Sequence, residues 1–136
     1  MKKYFLSLLI IGLMISACSA KGTGASASLV GSWKLTSYGS AASPTPAVAD
    51  TEAGITFNQD ATITGNSGCN GFGGSYTVEG DKVTFDQVTS TLMACDDPRM
   101  AQEDAVHQVL NNTASFKIEG NKLTLTNNGN VLVLTR

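Results

Sequence analysis

A glycine-rich stretch with a cysteine near its centre constrains the fold more than any other part of the sequence. It runs from Gly65 to Tyr76 and contains five glycines and two asparagines. Chains use these residues so densely where the backbone takes a positive φ or passes close to another segment. Alternating apolar and polar residues on both sides indicate flanking strands. We expect the stretch to let a sheet bend or bulge. Its positions of structural importance are Gly65, Gly68, Asn70, Gly73 and Gly74.

The N-terminus predicts export and a lipid anchor. Lys2-Lys3 precedes an apolar run from Tyr4 to Ile15, which is typical of a secretory signal peptide. The run is too short for a membrane-spanning helix of about 20 residues. Ile15-Ser16-Ala17-Cys18 is similar to a bacterial lipobox, in which the cysteine is lipidated and becomes the mature N-terminus. The alternative is ordinary cleavage near Ala17 or Ala20, with Cys18 incidental.

These features divide the chain into three parts. Residues 1–17 form the predicted signal peptide, and residues 18–28 form the lipidated Cys18 with a flexible Gly/Ser tether. Residues 29–136 are one domain by length. Ser19 follows Cys18, and the absence of an acidic residue there favours the outer membrane if the organism has one. We therefore expect an exported lipoprotein that contacts the membrane through lipid on Cys18.

Charge narrows the classes of partner. Without Lys2 and Lys3, seven basic side chains remain against eleven acidic ones. Nucleic-acid binding depends on basic residues that neutralise phosphates, so the chain is not expected to bind nucleic acid. An envelope protein or a glycan is the expected partner, and the expected state is a monomer.

Period-two alternation predicts about eight short antiparallel strands. Glycine-led turns at Gly80-Asp81 and Gly120-Asn121 join two pairs of them into hairpins. The predicted inward-facing residues are Trp33, Leu35, Ile55, Phe57 and Ile63.

One helix is predicted between the two hairpins. Asp97 is its expected N-cap and Pro98 its first residue, and Glu103 and Asp104 are assigned to the favourable end of the helix dipole. Its predicted apolar stripe contains Ala101, Ala105, Val106, Val109 and Leu110. The predicted class is α+β: a strongly curved antiparallel sheet or partial barrel of about eight short strands, with one amphipathic helix.

The cysteine count predicts a disulfide. There are three cysteines, and lipid on Cys18 leaves Cys69 and Cys95 as a pair in an oxidising compartment. Closing this loop of 26 residues is worth about 3.5 kcal/mol in the chain-entropy model. A redox-active pair is the alternative, because Cys95 lies just before the predicted helix.

No arrangement of residues in the sequence indicates catalysis. His107 is the single histidine, and it lacks the ligand spacing of a metal site with the two cysteines. No serine has the flanking glycines of a nucleophile motif. The glycine-rich stretch lacks the lysine and the helix of a phosphate-binding loop. We expect a protein that is not an enzyme and has no cofactor or metal.

Five short segments together resemble the META domain family, which includes HslJ-like bacterial envelope lipoproteins. These segments are Trp33-Lys34-Leu35, Gly65 with Gly68–Tyr76, Thr91-Leu92-Met93-Ala94-Cys95, Gln102-Glu103 and Gly120–Leu125. The resemblance covers nearly all of residues 29–136. It implies a small envelope or secreted protein linked to stress tolerance, and it supplies no catalytic residue. Many members carry a basic or bulky residue after the asparagine where this chain has Gly71, which argues against a charged contact there.

The leading functional hypothesis is a non-catalytic, lipid-anchored envelope protein that binds a partner or supports envelope integrity under stress. The alternative is an inhibitor of a secreted hydrolase, either a protease or a lysozyme. For that role the sequence offers two candidate loops, Gly39–Ala53 and Gly65–Gly74.

Overall fold

The computed structural model describes residues 28–136. The predicted signal peptide, Cys18 and residues 18–27 of the predicted tether lie outside the described residues. The elements are β1 (Gly31–Ser40), β2 (Thr45–Pro46), β3 (Gly54–Phe57), β4 (Thr62–Asn66), β5 (Gly71–Glu79), β6 (Lys82–Ser90), α1 (Asp97–Val109), β7 (Thr113–Glu119), β8 (Lys122–Asn127) and β9 (Asn130–Thr135). No helix among the described residues is both long and apolar enough to cross a membrane.

Eight of the strands form a closed antiparallel barrel. They follow the order β1, β3, β4, β5, β6, β7, β8, β9, and β9 pairs back onto β1. The closing register places Leu35 opposite Leu134 and Ser40 opposite Asn130. The short β2 is an extra strand on β1. The predicted α+β class with about eight strands is therefore confirmed, and the curved sheet closes completely.

Strand alternation fills the barrel interior as predicted. The five residues expected to face inward are all buried, whereas Lys34 and Thr36, which alternate with Trp33 and Leu35, are exposed. The α1 helix lies against β1, β8 and β9 and contributes Ala105, Val106 and Val109 to the core. Both predicted glycine turns form, and Gly80 and Gly120 have the same φ of +61°.

Several predicted details were wrong. The β5 strand begins at Gly71 rather than Ser75, so only Ser67–Asn70 of the glycine-rich stretch lies between strands. The predicted loop Gly39–Ala53 includes the end of β1 and the whole of β2. Asp96, rather than Asp97, is the N-cap of α1. Ala101 is exposed, and Gln102 and Glu103 are buried in its place.

Candidate functional site: a buried polar cluster and an exposed loop

A tight turn, Ser67–Asn70, connects β4 to β5 at one end of the barrel. Gly68 has a φ of +100°, and a Cβ atom there would collide with Gln102 Nε2. The Gly68 N–H donates to Asn66 Oδ1 at 2.6 Å. Ser67 and Asn70 are buried beneath this turn. Only glycine combines this backbone conformation with so close an approach of the helix.

Ser67 and Asn70 meet the helix at Glu103. The Ser67 hydroxyl donates to Glu103 Oε2 at 2.5 Å, and the Asn70 backbone N–H donates to the same oxygen at 3.1 Å. Asn70 Nδ2 donates to Glu103 Oε1 at 3.0 Å. Both carboxylate oxygens therefore accept hydrogen bonds, which is how a buried charge is stabilised when no cation is paired with it.

The environment of Glu103 lowers the pKa of its carboxyl group below the ordinary glutamate value. Burial acts in the opposite direction and is the largest single influence, because it disfavours the charged form. The hydrogen bonds from Ser67 and Asn70, together with the electrostatic effect of the nearby His107 ring, outweigh it. Glu103 is consequently an ionised acceptor at neutral pH, rather than a proton donor or a general base poised near pH 7.

Gln102 extends the cluster to a third segment of chain. Its Nε2 donates to the Ser67 carbonyl at 2.6 Å, and its Oε1 accepts from the Val48 N–H at 2.8 Å. The buried polar cluster, defined as Ser67, Asn70, Gln102 and Glu103, therefore ties α1 to the β4–β5 turn and to the segment after β2. Within the described residues, every buried side-chain nitrogen or oxygen atom has a hydrogen-bond partner.

The amide of Asn70 also holds the loop that follows β6. Its Oδ1 accepts from the Met93 N–H at 2.7 Å and from Thr91 Oγ1 at 2.9 Å. Its Nδ2 donates to the Met93 carbonyl at 3.0 Å. One buried side chain thus binds both backbone groups of Met93 and the side chain of Thr91, and so fixes the Thr91–Ala94 loop from within.

A disulfide and a backbone contact fix the two ends of this loop. Cys69 in the turn is bonded to Cys95 at the end of the loop, with a Cα–Cα distance of 5.9 Å. The Thr91 N–H donates to the Gly71 carbonyl at 3.0 Å. Cys69 is buried, so the disulfide braces the loop against the barrel just before α1 begins.

Two side chains of this loop, Leu92 and Met93, nevertheless point into solvent. Leu92 is 93% exposed and Met93 is 59% exposed, and they are the large exposed hydrophobic residues of the described chain. An exposed leucine alone is ordinary. Two adjacent exposed apolar side chains, on a backbone held by a disulfide and by a buried asparagine, are typical of a surface that another molecule covers.

The other predicted structural glycines lie on the two strands that this turn joins, Gly65 on β4 and Gly73 and Gly74 on β5. The Phe72 ring covers Gly65 so closely that a Cβ atom would collide with it, and Gly74 lies against the Asp86 carbonyl at the β5–β6 bulge. A Cβ atom at Gly73 would make ordinary contact with the Ile63 carbonyl. The bulge supports the expected bend of the sheet.

His107 does not join the cysteines, but it lines a groove between β6 and α1 together with Asp86 and Asp104. It is half-exposed on α1, with its ring 6.3 Å from that of Phe72. Among residues 28–136, no three histidine, cysteine or acidic side chains converge as a metal site would require. Glu103, which the sequence assigned to the helix dipole, is instead an acceptor in the buried cluster.

Sequence reasoning missed Ser67, Gln102 and Glu103 as a buried set, and Leu92 and Met93 as an exposed pair. Apolar periodicity gives no signal for the first set, because it assigns polar residues to the solvent face. A signal did exist in the family resemblance, where Gln102-Glu103 and Thr91–Cys95 are both motif segments.

Comparison with known proteins agrees with this architecture. A model of the META domain matches residues 27–136. The NMR structure of a protein from Burkholderia xenovorans is similar, with a TM-score of 0.68 and 22% identity over 100% of this chain and 98% of that one. A second NMR structure has a TM-score of 0.64 at 20% identity, over 79% and 89% of the two chains.

A crystal structure from Bacteroides vulgatus ATCC 8482, described as a DUF4847 family protein, is also similar. Its TM-score is 0.59 at 18% identity, over 79% of this chain and 92% of that one. At sequence identities this low, the structural similarity establishes a shared fold and nothing further. A search of curated proteins finds no match.

Proposed function

This chain belongs to the META domain family, and we propose that it is a non-catalytic, lipid-anchored envelope protein that binds a protein partner through the Thr91–Ala94 loop. The observation that carries the proposal is the full exposure of Leu92 on a backbone fixed by Asn70 and by the Cys69–Cys95 disulfide. Through binding this partner, the protein would support stress tolerance or envelope integrity.

The energetics of the loop favour binding. Burying a leucine or methionine side chain contributes about 1.5–3 kcal/mol. Association also costs conformational entropy, and a loop already fixed by its own contacts loses less of it. Because Leu92 and Met93 are apolar and adjacent, they match an apolar pocket on a protein better than the hydroxyl-rich surface of a glycan.

The buried polar cluster supports a structural role for its carboxylate. Glu103 accepts hydrogen bonds on both oxygens, and the lowered pKa of its carboxyl group keeps it ionised at neutral pH. A catalytic acid or base needs a pKa near the working pH and access to substrate. Glu103 has neither property, so its contribution is to position Asn70 and, through Asn70, the exposed loop.

Photo-crosslinking in cells tests the binding surface. A photo-reactive leucine analogue at position 92 is expected to yield a discrete protein adduct under envelope stress. The same analogue at Thr77, which is exposed on β5, is the matched control and should yield none. Equal adducts at both positions, or adducts with glycan alone, would contradict the proposal.

Membrane attachment is tested separately by Cys18→Ala. The expected result is loss of the lipid and of the membrane-bound fraction, because no other anchor is proposed. An unchanged membrane fraction would refute the anchor but leave the binding surface standing.

Inhibition of a secreted hydrolase is the second candidate function. The Asn70 amide binds both the N–H and the carbonyl of Met93. This fixed backbone favours inhibition, because an inhibitor must keep its loop in one conformation while bound. The protein should then inhibit at least one member of a panel of secreted proteases and lysozymes at micromolar concentration, and Leu92→Asp should abolish this inhibition. Absence of inhibition across the panel would remove this candidate.

A further inference from the structure

The outer side of β6 has an open backbone edge. β7 pairs with β6 only from Lys82 to Thr84, and one further hydrogen bond joins the Phe85 N–H to the Asn112 carbonyl at 2.8 Å. On the opposite side of β6, Asp86, Thr89 and Ser90 pair with β5, and Gln87 and Val88 form a bulge in which Gln87 has a φ of +52°. Within residues 28–136, no strand pairs with the outer side of β6 from Asp86 to Ser90. Unpaired strand edges of this kind are templates for another chain.

The free backbone groups along this edge belong to Val88 and Ser90. The Thr91 N–H is directed towards β5, because it donates to the Gly71 carbonyl at 3.0 Å. Alternate residues of a strand direct their backbone groups to opposite sides. Ser90 and Val88 therefore direct theirs away from β5. The bulge at Gln87 ends the regular edge at Val88, so the edge offers the backbone groups of these two residues to an added strand.

The α1 helix faces this edge across a groove with a volume of about 530 Å³. Phe85 and Leu110 line it, and His107 and Gln108 contribute from the helix. A strand edge that faces a helix across a groove can accept an extended peptide, whose backbone pairs with the edge while alternate side chains occupy the groove.

The groove is acidic. Asp86 on the strand and Asp104 on the helix both line it, and no lysine or arginine does. Both side chains are exposed, and neither takes part in an ion pair recorded for the described chain. A bound segment with lysine or arginine at alternate positions would complement both carboxylates. A second copy of this chain would instead bring its own Asp86 and Asp104 to the groove.

We infer that the β6–α1 groove binds an extended, basic peptide segment of a protein partner, which adds as a short strand to the Val88–Ser90 edge. This inference rests on the proposed binding function and deepens it, because β6 runs directly into the Thr91–Ala94 loop. A strand on the edge would place the rest of the same partner against Leu92 and Met93.

Selection from a phage library of random octapeptides tests the inference, with the protein purified from membranes in mild detergent. Enriched peptides should carry lysine or arginine at alternate positions and should lack proline. A synthetic copy methylated on alternate backbone nitrogens should bind at least tenfold more weakly, since it cannot pair with a strand. Enrichment of peptides without basic residues, or equal binding of the methylated peptide, would overturn the inference.

Variants locate the peptide. Asp104→Lys should weaken binding at least tenfold, whereas Asp81→Lys, in the exposed β5–β6 turn, is the charge-matched control and should not. Val88→Pro should also abolish binding by removing one N–H from the edge; if it fails to fold, Asp104→Lys decides.

Equal effects of the two lysine variants, or a dimer that Val88→Pro dissociates, would contradict the inference. Crosslinking at position 92 could persist while Asp104→Lys binds the peptide as tightly as the wild type. That result would leave the proposed function intact and refute the inference about the groove.

Discussion

At the scale of single residues, Asn70 connects the interior of the domain to its exposed loop. Its side chain bonds Glu103 on one side and Thr91 and Met93 on the other. Asn70→Ala would leave the Met93 N–H and one carboxylate oxygen without this partner. Each buried polar group left unpaired costs about 1–3 kcal/mol.

We therefore expect Asn70→Ala to reduce the free energy of unfolding by about 3 kcal/mol, measured by urea denaturation. Asn111→Ala is the control, because Asn111 is exposed at the end of α1 and its replacement should change stability by less than about 0.5 kcal/mol. A similar loss in both variants would show that the amide of Asn70 is not central to the cluster.

The ionisation of the Glu103 carboxyl group predicts how the free energy of unfolding depends on pH. The pKa of its carboxyl group is lower in the folded protein than its ordinary value, so the unfolded chain binds a proton more readily than the folded one. The resulting stabilisation is complete above the unfolded-state pKa of about 4.3. It is lost as the pH falls from there through the folded-state pKa.

Glu103→Gln should remove this dependence. The variant should be less stable at pH 7 by about 1–3 kcal/mol, because its amide group would face the Asn70 amide donor. Its free energy of unfolding should then fall less steeply than that of the wild type between pH 5 and pH 3 (roughly the range in which glutamate titrates). Parallel pH profiles from denaturant titrations would contradict this account.

At the scale of elements, the helix shows what a sequence can and cannot predict. Its start within one residue and its packing through Val106 and Val109 follow from local signals. Its rotation about the axis was partly mispredicted, because Ala101 was placed on the buried stripe and Glu103 was assigned only to the dipole. The partners that bury Gln102 and Glu103 come from a turn more than thirty residues away. No local period encodes that contact.

The same limit applies to the strands. Alternation correctly placed Trp33 and Ile63 in the core, but the glycines of β5 have no side chains to alternate, so the start of this strand at Gly71 was missed. Closure of the barrel depends on pairing between β1 and β9, whose residues lie about one hundred positions apart in the chain. Sequence pattern predicts each strand separately and leaves such pairing open.

Two alanines test the orientation of α1. Ala101 is exposed and Ala105 is buried against the barrel, although both were predicted on one stripe. Ala101→Lys should change the free energy of unfolding by less than about 0.5 kcal/mol. Ala105→Lys should reduce it by about 3 kcal/mol, since a long charged side chain has no space there. Thermal unfolding distinguishes the two, and equal effects would mean that the helix face is assigned wrongly.

At the scale of the whole molecule, β9 is the strand that closes the barrel. It pairs with β1 on one side and with β8 on the other, and it contributes Leu132 and Leu134 to the interior. Burial of each such side chain is worth about 1.5–3 kcal/mol, against a total stability of about 5–15 kcal/mol for a typical domain. Removing β9 also exposes two unpaired edges that favour aggregation.

Deletion of residues 130–136 should consequently abolish the cooperative unfolding transition, as followed by calorimetry. Deletion of Arg136 alone is the matched control: it removes a guanidinium 4.3 Å from the Trp33 ring and leaves β9 in place. Loss of this cation–π contact should cost about 0.5–1 kcal/mol and preserve a single transition. If the longer deletion also unfolds cooperatively, the remaining strands form an independent core, and closure of the barrel is not what makes the domain one unit. If the shorter one already loses the transition, the stability of the domain depends on its terminal residue rather than on the β1–β9 pairing.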